Sequence, residues 1–419
     1  MPKIAKLKAR EILDSRGNPT IETTIVLDTG QSTYATTPSG ASTGKHEAVE
    51  LRDNDKNRFN GLGVLKAVNN VNTTIASKVI GLDPTKQTAL DQLLINLDGT
   101  KNKSNLGSNA ILSVSIAALK ASALYYQIPL YSYLDKKYSL KSDSKKLPGP
   151  TFNIINGGSH GAGNLDFQEF HIVPSMRFPY HTALQMGGEI YISLKKVLIQ
   201  RNAIHSVGDE GGFAPNLFTN MDALELMLEA IHLTQYKFAQ DVFLGLDVAA
   251  NHFYDNGNYT IKDRAQPYSK NELIAYYHQL NREYRLFSLE DGLEEEDWSG
   301  WSKLTEEIGS NTLIVGDDLL TTNKDRVKKA IQEKSCNTIL IKPNQIGTIS
   351  ETVEVVKLVK ENNWKTIVSH RSGETNDTFI ADFAVGIKAD YTKFGAPARG
   401  ERIAKYNRLL AIEQELNLT

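Results

Sequence analysis

The sequence predicts an α/β protein in two parts: an N-terminal α+β domain over residues 1–138 and a C-terminal β/α barrel over residues 139–419. Three observations lead there. At 419 residues the chain exceeds what one ordinary core holds, so two domains are expected. The apolar rhythm changes near residue 150, from a meander with long helices to short β-branched runs. Those runs each close on a polar residue, precede a helical stretch, and recur at the length of one βα unit.

Residues 4–37 read as a hairpin or meander: 21–27 is β-branched and apolar, and Asp28-Thr29-Gly30-Gln31 is a turn signal. Residues 64–82 and 108–127 read as helices. In the second, Ala110, Ile111, Val114, Ala117, Ala118 and Ala121 fall on one face at helical spacing. The Lys- and Ser-rich stretch 136–150 reads as a solvated linker.

Beyond it, 242–246 ends at Asp247, 286–289 at Glu290, 313–315 near Asp317, 338–341 at Lys342, 366–369 at His370 and 389–392 at Lys393. From Glu290 onward the steps are 27, 25, 28 and 23 residues. In a closed barrel of parallel strands the residues that end successive strands gather at one mouth. The pattern therefore predicts three carboxylates, two lysines and a histidine in one cavity. A doubly wound open sheet is the competing architecture, and it normally carries a glycine-rich phosphate loop. Gly40-Ala41-Ser42-Thr43-Gly44-Lys45 has the wrong spacing for one, and His46-Glu47-Ala48-Val49-Glu50 lacks the second histidine of a zinc-protease helix.

Composition narrows the function classes. Lys plus Arg is 47 against 49 Asp plus Glu, a formal charge of −2, which gives no reason to expect a nucleic-acid or anionic-membrane partner. No uninterrupted apolar stretch long enough to span a bilayer is read, and residues 1–16 lack the apolar core of a signal peptide. The single cysteine, Cys336, forms no intrachain disulfide and suits a reducing cytoplasm.

Asp247, Glu290 and Asp317 are hard oxygen donors. Gathered without cysteine, they favour Mg²⁺ over Zn²⁺. Any one of them alone also serves as an ordinary helix cap, but three converging like charges need a cation. Lys342 ends an apolar run. Beside a divalent cation and Lys393 its pKa is expected to fall, which would let a neutral amine act as general base. A proton taken from the carbon next to a carboxylate leaves charge that a metal stabilises. Three glycine-rich segments, 38–44, 157–163 and 208–212, carry Ser39, His160 and Glu210, and read as surface loops or as ligand lids. Arg371 and Ser372 follow a strand and offer an anion site. Glu294-Glu295-Glu296-Asp297 reads as a solvated acidic helix start.

Together these segments resemble the enolase family, of bacterial type. The likeness runs from Ala9-Arg10-Glu11-Ile12-Leu13-Asp14-Ser15-Arg16-Gly17-Asn18-Pro19 to Arg402-Ile403-Ala404-Lys405-Tyr406-Asn407. Its most specific pieces are Ser39-Gly40-Ala41-Ser42-Thr43-Gly44, Gly208-Asp209-Glu210-Gly211-Gly212, Asn344-Gln345-Ile346-Gly347 and Ser369-His370-Arg371-Ser372-Gly373-Glu374-Thr375. The resemblance implies dehydration of 2-phospho-D-glycerate to phosphoenolpyruvate in glycolysis, with two Mg²⁺ per site; a Lys or His base with Mg²⁺ is the general scheme of that superfamily. It implies that Asp247, Glu290 and Asp317 hold the tighter ion, and that Ser39 helps hold a second, which arrives with substrate. Lys342 would be the base at C2, and Glu210, supported by Glu169, the proton donor to the C3 hydroxyl. Arg371 and Ser372 would hold phosphate, Lys393 and Gln168 would bind substrate, and His160 and His370 would line the site. The implied barrel is irregular, with an antiparallel second strand and an opening ββαα unit. The implied assembly is a homodimer, or an octamer built from dimers, in the cytoplasm. Some bacterial enolases also bind host proteins at the cell surface or when secreted, which makes a weakened, binding-only paralogue the alternative. Four positions depart from the usual pattern: Pro343, Phe394, His171 and Gly400. Pro343 is expected to reshape the strand end and Phe394 to add bulk beside the carboxylate site.

Overall fold

The structure, a computed structural model, describes residues 1–40, 44–140, 147–161 and 165–418. Parts of two glycine-rich segments (41–43 and 162–164), most of the expected linker (141–146) and Thr419 lie outside the described residues.

The chain begins with an antiparallel meander of β1 (Ile4–Leu13), β2 (Pro19–Leu27) and β3 (Ser32–Thr36). Alternation along β2 sends Ile21, Ile25 and Leu27 into the core. They face the helix Ser108–Tyr125, which combines alanine with β-branched residues and is buried along most of its length. By length and composition that helix could cross a membrane, although Asn109, Lys120 and four serines interrupt its apolar run. Yet 83% of it is buried inside the protein, as a core helix would be. The expected helix at 64–82 runs from Leu65 to Val79, with a π-turn at Val71–Ile75. Helices Gln87–Asp98 and Leu130–Tyr138 were not read from the sequence. The second corrects the linker: Lys136 and Lys137 belong to a helix, and Lys137 Nζ donates to the Thr85 carbonyl at 2.8 Å. Gly149 and Pro150, the expected end of the linker, already belong to a barrel strand.

That barrel is closed by eight strands. In chain order they are β4 (Gly149–Asn156), β5 (Glu169–Pro174), β6 (Val242–Asp247), β10 (Ser288–Glu290), β11 (Leu313–Gly316), β12 (Thr338–Ile341), β13 (Lys365–Ser369) and β14 (Tyr391–Lys393). A small sheet of β7 (Tyr254–Asp255), β8 (Asn258–Tyr259) and β9 (Tyr268–Ser269) lies between β6 and β10 in the chain. The barrel opens ββαα: β4, β5 and the helices Tyr180–Gln200 and Asn220–His232 precede β6. β5 runs antiparallel to both neighbours and the other barrel pairs are parallel, the irregular architecture expected.

Side chains at two of the departing positions turn out benign for the scaffold. Pro343 occupies the first position of the short helix Pro343–Ile346, where no N–H is needed. β12 keeps its register with β13 up to Ile341↔Val368, so the expected reshaping of the strand end does not occur. Phe394 is fully buried and packs against Tyr406, with ring centroids 5.9 Å apart, so its bulk is spent in the core.

Candidate active site

The antiparallel β5 decides which residues meet. In the parallel strands the last residue reaches the barrel mouth; in β5 it is the first. Glu169 therefore pairs in register with Asp247 on one side and Asn156 on the other, and Gln168 precedes it at the same rim. Glu290 is level with Asp247, and Lys393 with Ser369. A cavity opens there. It is lined by His160, Gln168, Glu169, Glu210, Asp247, Asp317, Lys342, Ser369, His370, Arg371, Ser372 and Lys393. Its convergent polar groups suit a small, strongly charged ligand.

Lys393 sits among carboxylates. Its Nζ lies 2.8 Å from Asp247 Oδ2, 2.9 Å from Glu290 Oε1 and 3.3 Å from Glu169 Oε2. Burial disfavours the ammonium, but these anions outweigh it and hold its pKa well above the usual lysine value. Glu290, which does not line the cavity, joins the cluster through this contact. Its carboxyl is pushed well above the usual range, first by burial and then by Asp247.

Lys342 pairs with Asp317 Oδ2. Burial works against the ammonium, but the Asp317 carboxylate prevails and the Lys342 pKa rises above its usual value. The expected fall refers to a lysine beside a bound divalent cation and Lys393. Arg371 and Lys393 still push Lys342 downward. Asp317 correspondingly lies below the usual range: burial raises it and Lys342 more than compensates.

A second group joins two carboxylates through imidazoles. His160 Nδ1 stands 3.3 Å from Glu169 Oε1 and 3.5 Å from Glu210 Oε1, and His370 Nε2 stands 3.1 Å from Glu210 Oε2; both nitrogens lie off the line of a good hydrogen bond. His370 Nδ1 faces a guanidinium nitrogen of Arg402 at 2.8 Å. A guanidinium only donates, so Nδ1 must accept, which leaves the proton on Nε2 toward Glu210. Burial first and the Arg402 charge with it lower the His370 pKa despite Glu210. For Glu210, burial and Glu169 raise the carboxyl while His370 and His160 lower it, and the net places it at about 2. Asn153 Nδ2 donates to its Oε2 at 3.1 Å. Glu169 is held well below the usual range: burial opposes ionisation, but Lys393 and His160 prevail. His171, one of the departing positions, adds a contact to Glu169 Oε2 at 2.8 Å.

Other expected residues are placed as follows. Gln168 Nε2 is 3.5 Å from Asp247 Oδ2. Arg371 makes a two-pronged contact with Glu47, at 2.8 and 3.2 Å. Ser39 does not line the cavity: its hydroxyl donates to Asp14 Oδ2 at 2.7 Å, and its backbone pairs with Gly373. The acidic run at 294–297 is a helix start as expected, with Asp297 the N-cap of Trp298–Ile308 and Glu296 exposed, but it is only half solvated. Glu294 and Glu295 are 9% and 3% exposed, and Lys45 lies 3.2 Å from each.

Sequence reading missed Arg402, Glu47, Asp291 and Asp318. Arg402 stood inside the terminal motif, and Glu47 was weighed only as part of a zinc-protease helix. Asp291 and Asp318 each adjoin an expected ligand.

These residues fit a divalent cation on donor chemistry. Oxygens of Asp291, Asp317 and Asp318 lie within 4.8 Å of one another, a tighter trio than the one expected, since Asp247 and Glu290 gather round Lys393 instead. Asp318 is pushed up to about 7, by burial and then Asp317, and Asp291 well above the usual range, by burial and then Asp318. Raised carboxyls at a cluster of oxygen donors mark negative charge the chain does not itself compensate, and a hard cation would do so.

Two family models match the chain. Residues 4–134 match "Enolase, N-terminal domain", and residues 144–419 match "Enolase, C-terminal TIM barrel domain".

Proposed function

The chain belongs to the enolase family, and from that premise we propose that it is a bacterial-type phosphopyruvate hydratase, interconverting 2-phospho-D-glycerate with phosphoenolpyruvate and water. The observation that carries the proposal is the shared cavity. It joins a lysine at a strand end, a carboxylate flanked by two imidazoles, an arginine and a set of acidic oxygen donors.

Asp247, Glu290 and Asp317 are the proposed holders of Mg²⁺, with Ser39 a ligand of a second ion once its loop moves. When bound, Mg²⁺ stabilises the negative charge that develops on the substrate carboxylate. Once Asp317 no longer pairs with Lys342, burial, Arg371 and Lys393 all favour the neutral amine. Lys342 Nζ then takes the proton from C2. The electron pair of that C–H bond becomes the C2–C3 double bond as the C3–O bond breaks. Glu210 supplies the proton that lets the hydroxyl leave as water. It is ionised in this arrangement, the state needed to accept a proton from water in the reverse direction. For dehydration it must first be protonated, and the neighbouring carrier is His160, whose pKa burial lowers but Glu210 and Glu169 raise by more, while His370, lowered by burial and Arg402, lines the site. Glu169 orients His160, Arg371 and Ser372 hold the phosphate, and Lys393 and Gln168 face the carboxylate.

The test follows enol absorbance with purified protein in Mg²⁺ and in EDTA. Turnover in Mg²⁺ that stops in EDTA is expected. Turnover indifferent to EDTA, or none from folded, magnesium-loaded protein, would overturn the assignment. A binding-only role gains no support from a site that retains these groups. We also propose a domain boundary at 138/139, a homodimer or octamer, and a cytoplasmic location. Limited proteolysis, sedimentation and fractionation test them in turn.

A further inference from the structure

Residues 44–48 of the N-terminal domain lie against the barrel mouth and are fastened there residue by residue. Lys45 pairs with Glu294 and Glu295, each at 3.2 Å, and His46 Nε2 lies 2.5 Å from Glu296 Oε1. Glu47 engages Arg371, and the Ala48 N–H donates to the Gln345 carbonyl at 2.8 Å. Among the described residues of this stretch, Glu47 is the one whose contact reaches a cavity residue directly. Both of its oxygens are used: Oε2 accepts from Nη1 at 2.8 Å and Oε1 from Nη2 at 3.2 Å. The two side chains are 4% and 7% exposed. A buried, two-pronged guanidinium–carboxylate pair fixes the plane of the guanidinium as well as its position.

The same carboxylate reaches further. Gln345 Nε2 is 3.4 Å from Glu47 Oε1 and donates to Asp317 Oδ1 at 2.8 Å, while the Gln345 Oε1 accepts from Thr322 at 2.7 Å. Glu47 thus stands between the arginine and the acidic cluster. Asp317 also attracts Arg371. After Glu47, that carboxylate is the anion that attracts the guanidinium most, and Asn344 Oδ1 accepts from Nη1 at 3.2 Å.

We propose that Glu47 is a positioning residue: it holds Arg371 in the orientation that receives an anionic ligand and away from Asp317. The inference rests on reading Arg371 as the phosphate-binding group, and it adds to that reading a residue from the other domain. Glu47 touches no reacting atom. It makes the anion site depend on the N-terminal domain being seated on the barrel.

The experiment uses the full chain with inorganic phosphate as a competitive probe and 2-phosphoglycerate as substrate. Glu47→Gln keeps the shape and removes the charge. It should weaken phosphate inhibition and raise KM by about tenfold, the effect of losing one charge-assisted contact, while kcat changes less. Glu47→Asp, which keeps the charge, should shift both in the same direction by a smaller factor. In an Arg371→Met background, Glu47→Gln should add nothing, which a merely structural role would not predict. Melting curves of each variant confirm that it is folded. Phosphate binding equal to or tighter than wild type in Glu47→Gln overturns the inference, as does an undiminished effect in the Arg371→Met background. If wild type itself binds no phosphate, the reading of Arg371 fails and the inference with it; if wild type binds and Glu47→Gln matches it, the inference alone fails.

Discussion

Lys393→Met removes one positive charge and retains most of the side-chain volume, so it isolates what the ammonium does. In the structure Nζ lies 2.8–3.3 Å from three carboxylates, and every partner side chain is at most 4% exposed. At an effective dielectric of about 20, one such contact near 3 Å is worth about 5 kcal/mol. Desolvation of the ammonium and repulsion among the carboxylates cancel much of that sum. Removing one partner of a buried ion pair typically costs about 3–5 kcal/mol, and this cluster belongs at that end of the scale. The loss should also depend on pH. Glu290 already lies well above the usual range, by burial and Asp247, and Lys393 is the chief group pulling it down. A carboxyl raised in the folded state contributes stability that is fully present below its unfolded value, about 4.3. That contribution disappears as pH rises through the folded value. The destabilisation should grow from pH 5 to pH 8 in EDTA through Glu169, which burial pushes up but Lys393 holds well below the usual range, and which must then ionise without its chief counter-charge. Added Mg²⁺ should recover part of it by supplying the missing charge. Urea denaturation of wild type and variant, at both pH values and with and without Mg²⁺, measures all three effects. A variant whose midpoint matches wild type at pH 8 in EDTA would refute the charge balance drawn here.

Lys342→Ala should lower C2 proton exchange by about 10²–10⁴-fold, the usual worth of a general base, as read by solvent deuterium incorporation; retained exchange would point to a different base. In EDTA, Asp318, raised to about 7 by burial and Asp317, should make stability fall as pH climbs from its unfolded value through about 7. Asp318→Asn should flatten that slope in urea titrations, and an unchanged slope would assign it elsewhere. Asp91→Ala removes a buried acceptor of the Ser350 N–H at 2.9 Å, the Ser350 hydroxyl at 2.6 Å and Gln87 Nε2 at 3.0 Å, where the N-terminal domain caps the barrel helix Ile349–Glu361. It should cost about 1–3 kcal/mol in the same assay, and a loss under half that would show the cap is dispensable. Gly157→Ala would place a Cβ 2.2 Å from the Phe167 carbonyl oxygen, which cannot move cheaply, so the loop carrying His160 should shift and activity fall while far-UV circular dichroism stays unchanged.

The sequence revealed the barrel where its strands repeat and hid it where they do not. β6 and β10–β14 each end on or just before a polar residue, and from β10 onward the spacing made them legible. β4 is fully buried and starts inside a Gly-Pro stretch that reads as linker, so its composition argued against a strand. β5 presents its site residue at its start, so a search for polar residues at strand ends passes over Glu169. Periodicity also cannot see what a charge faces. The run at 294–297 reads as solvated because its partners, Lys45 and His46, stand about 250 residues earlier in the chain.

The same blindness to partners hides what each lysine meets. Strand by strand, Lys342 reads as a lysine beside a divalent cation and Lys393, which is why its pKa is expected to fall. In the folded chain each lysine meets a carboxylate contributed by another strand, and attraction prevails: Asp317 for Lys342, and Asp247 with Glu290 for Lys393. The lysines therefore occupy acidic oxygens that the proposed cation would also use. Binding a cation and freeing Lys342 from Asp317 then become one event, since the same carboxylate cannot serve both at full strength. In such a site Lys342 would be freed to act as base only with the ion bound. Proton exchange at C2 should accordingly require Mg²⁺ even where substrate binding alone does not. Exchange that persists in EDTA at saturating substrate would break the link.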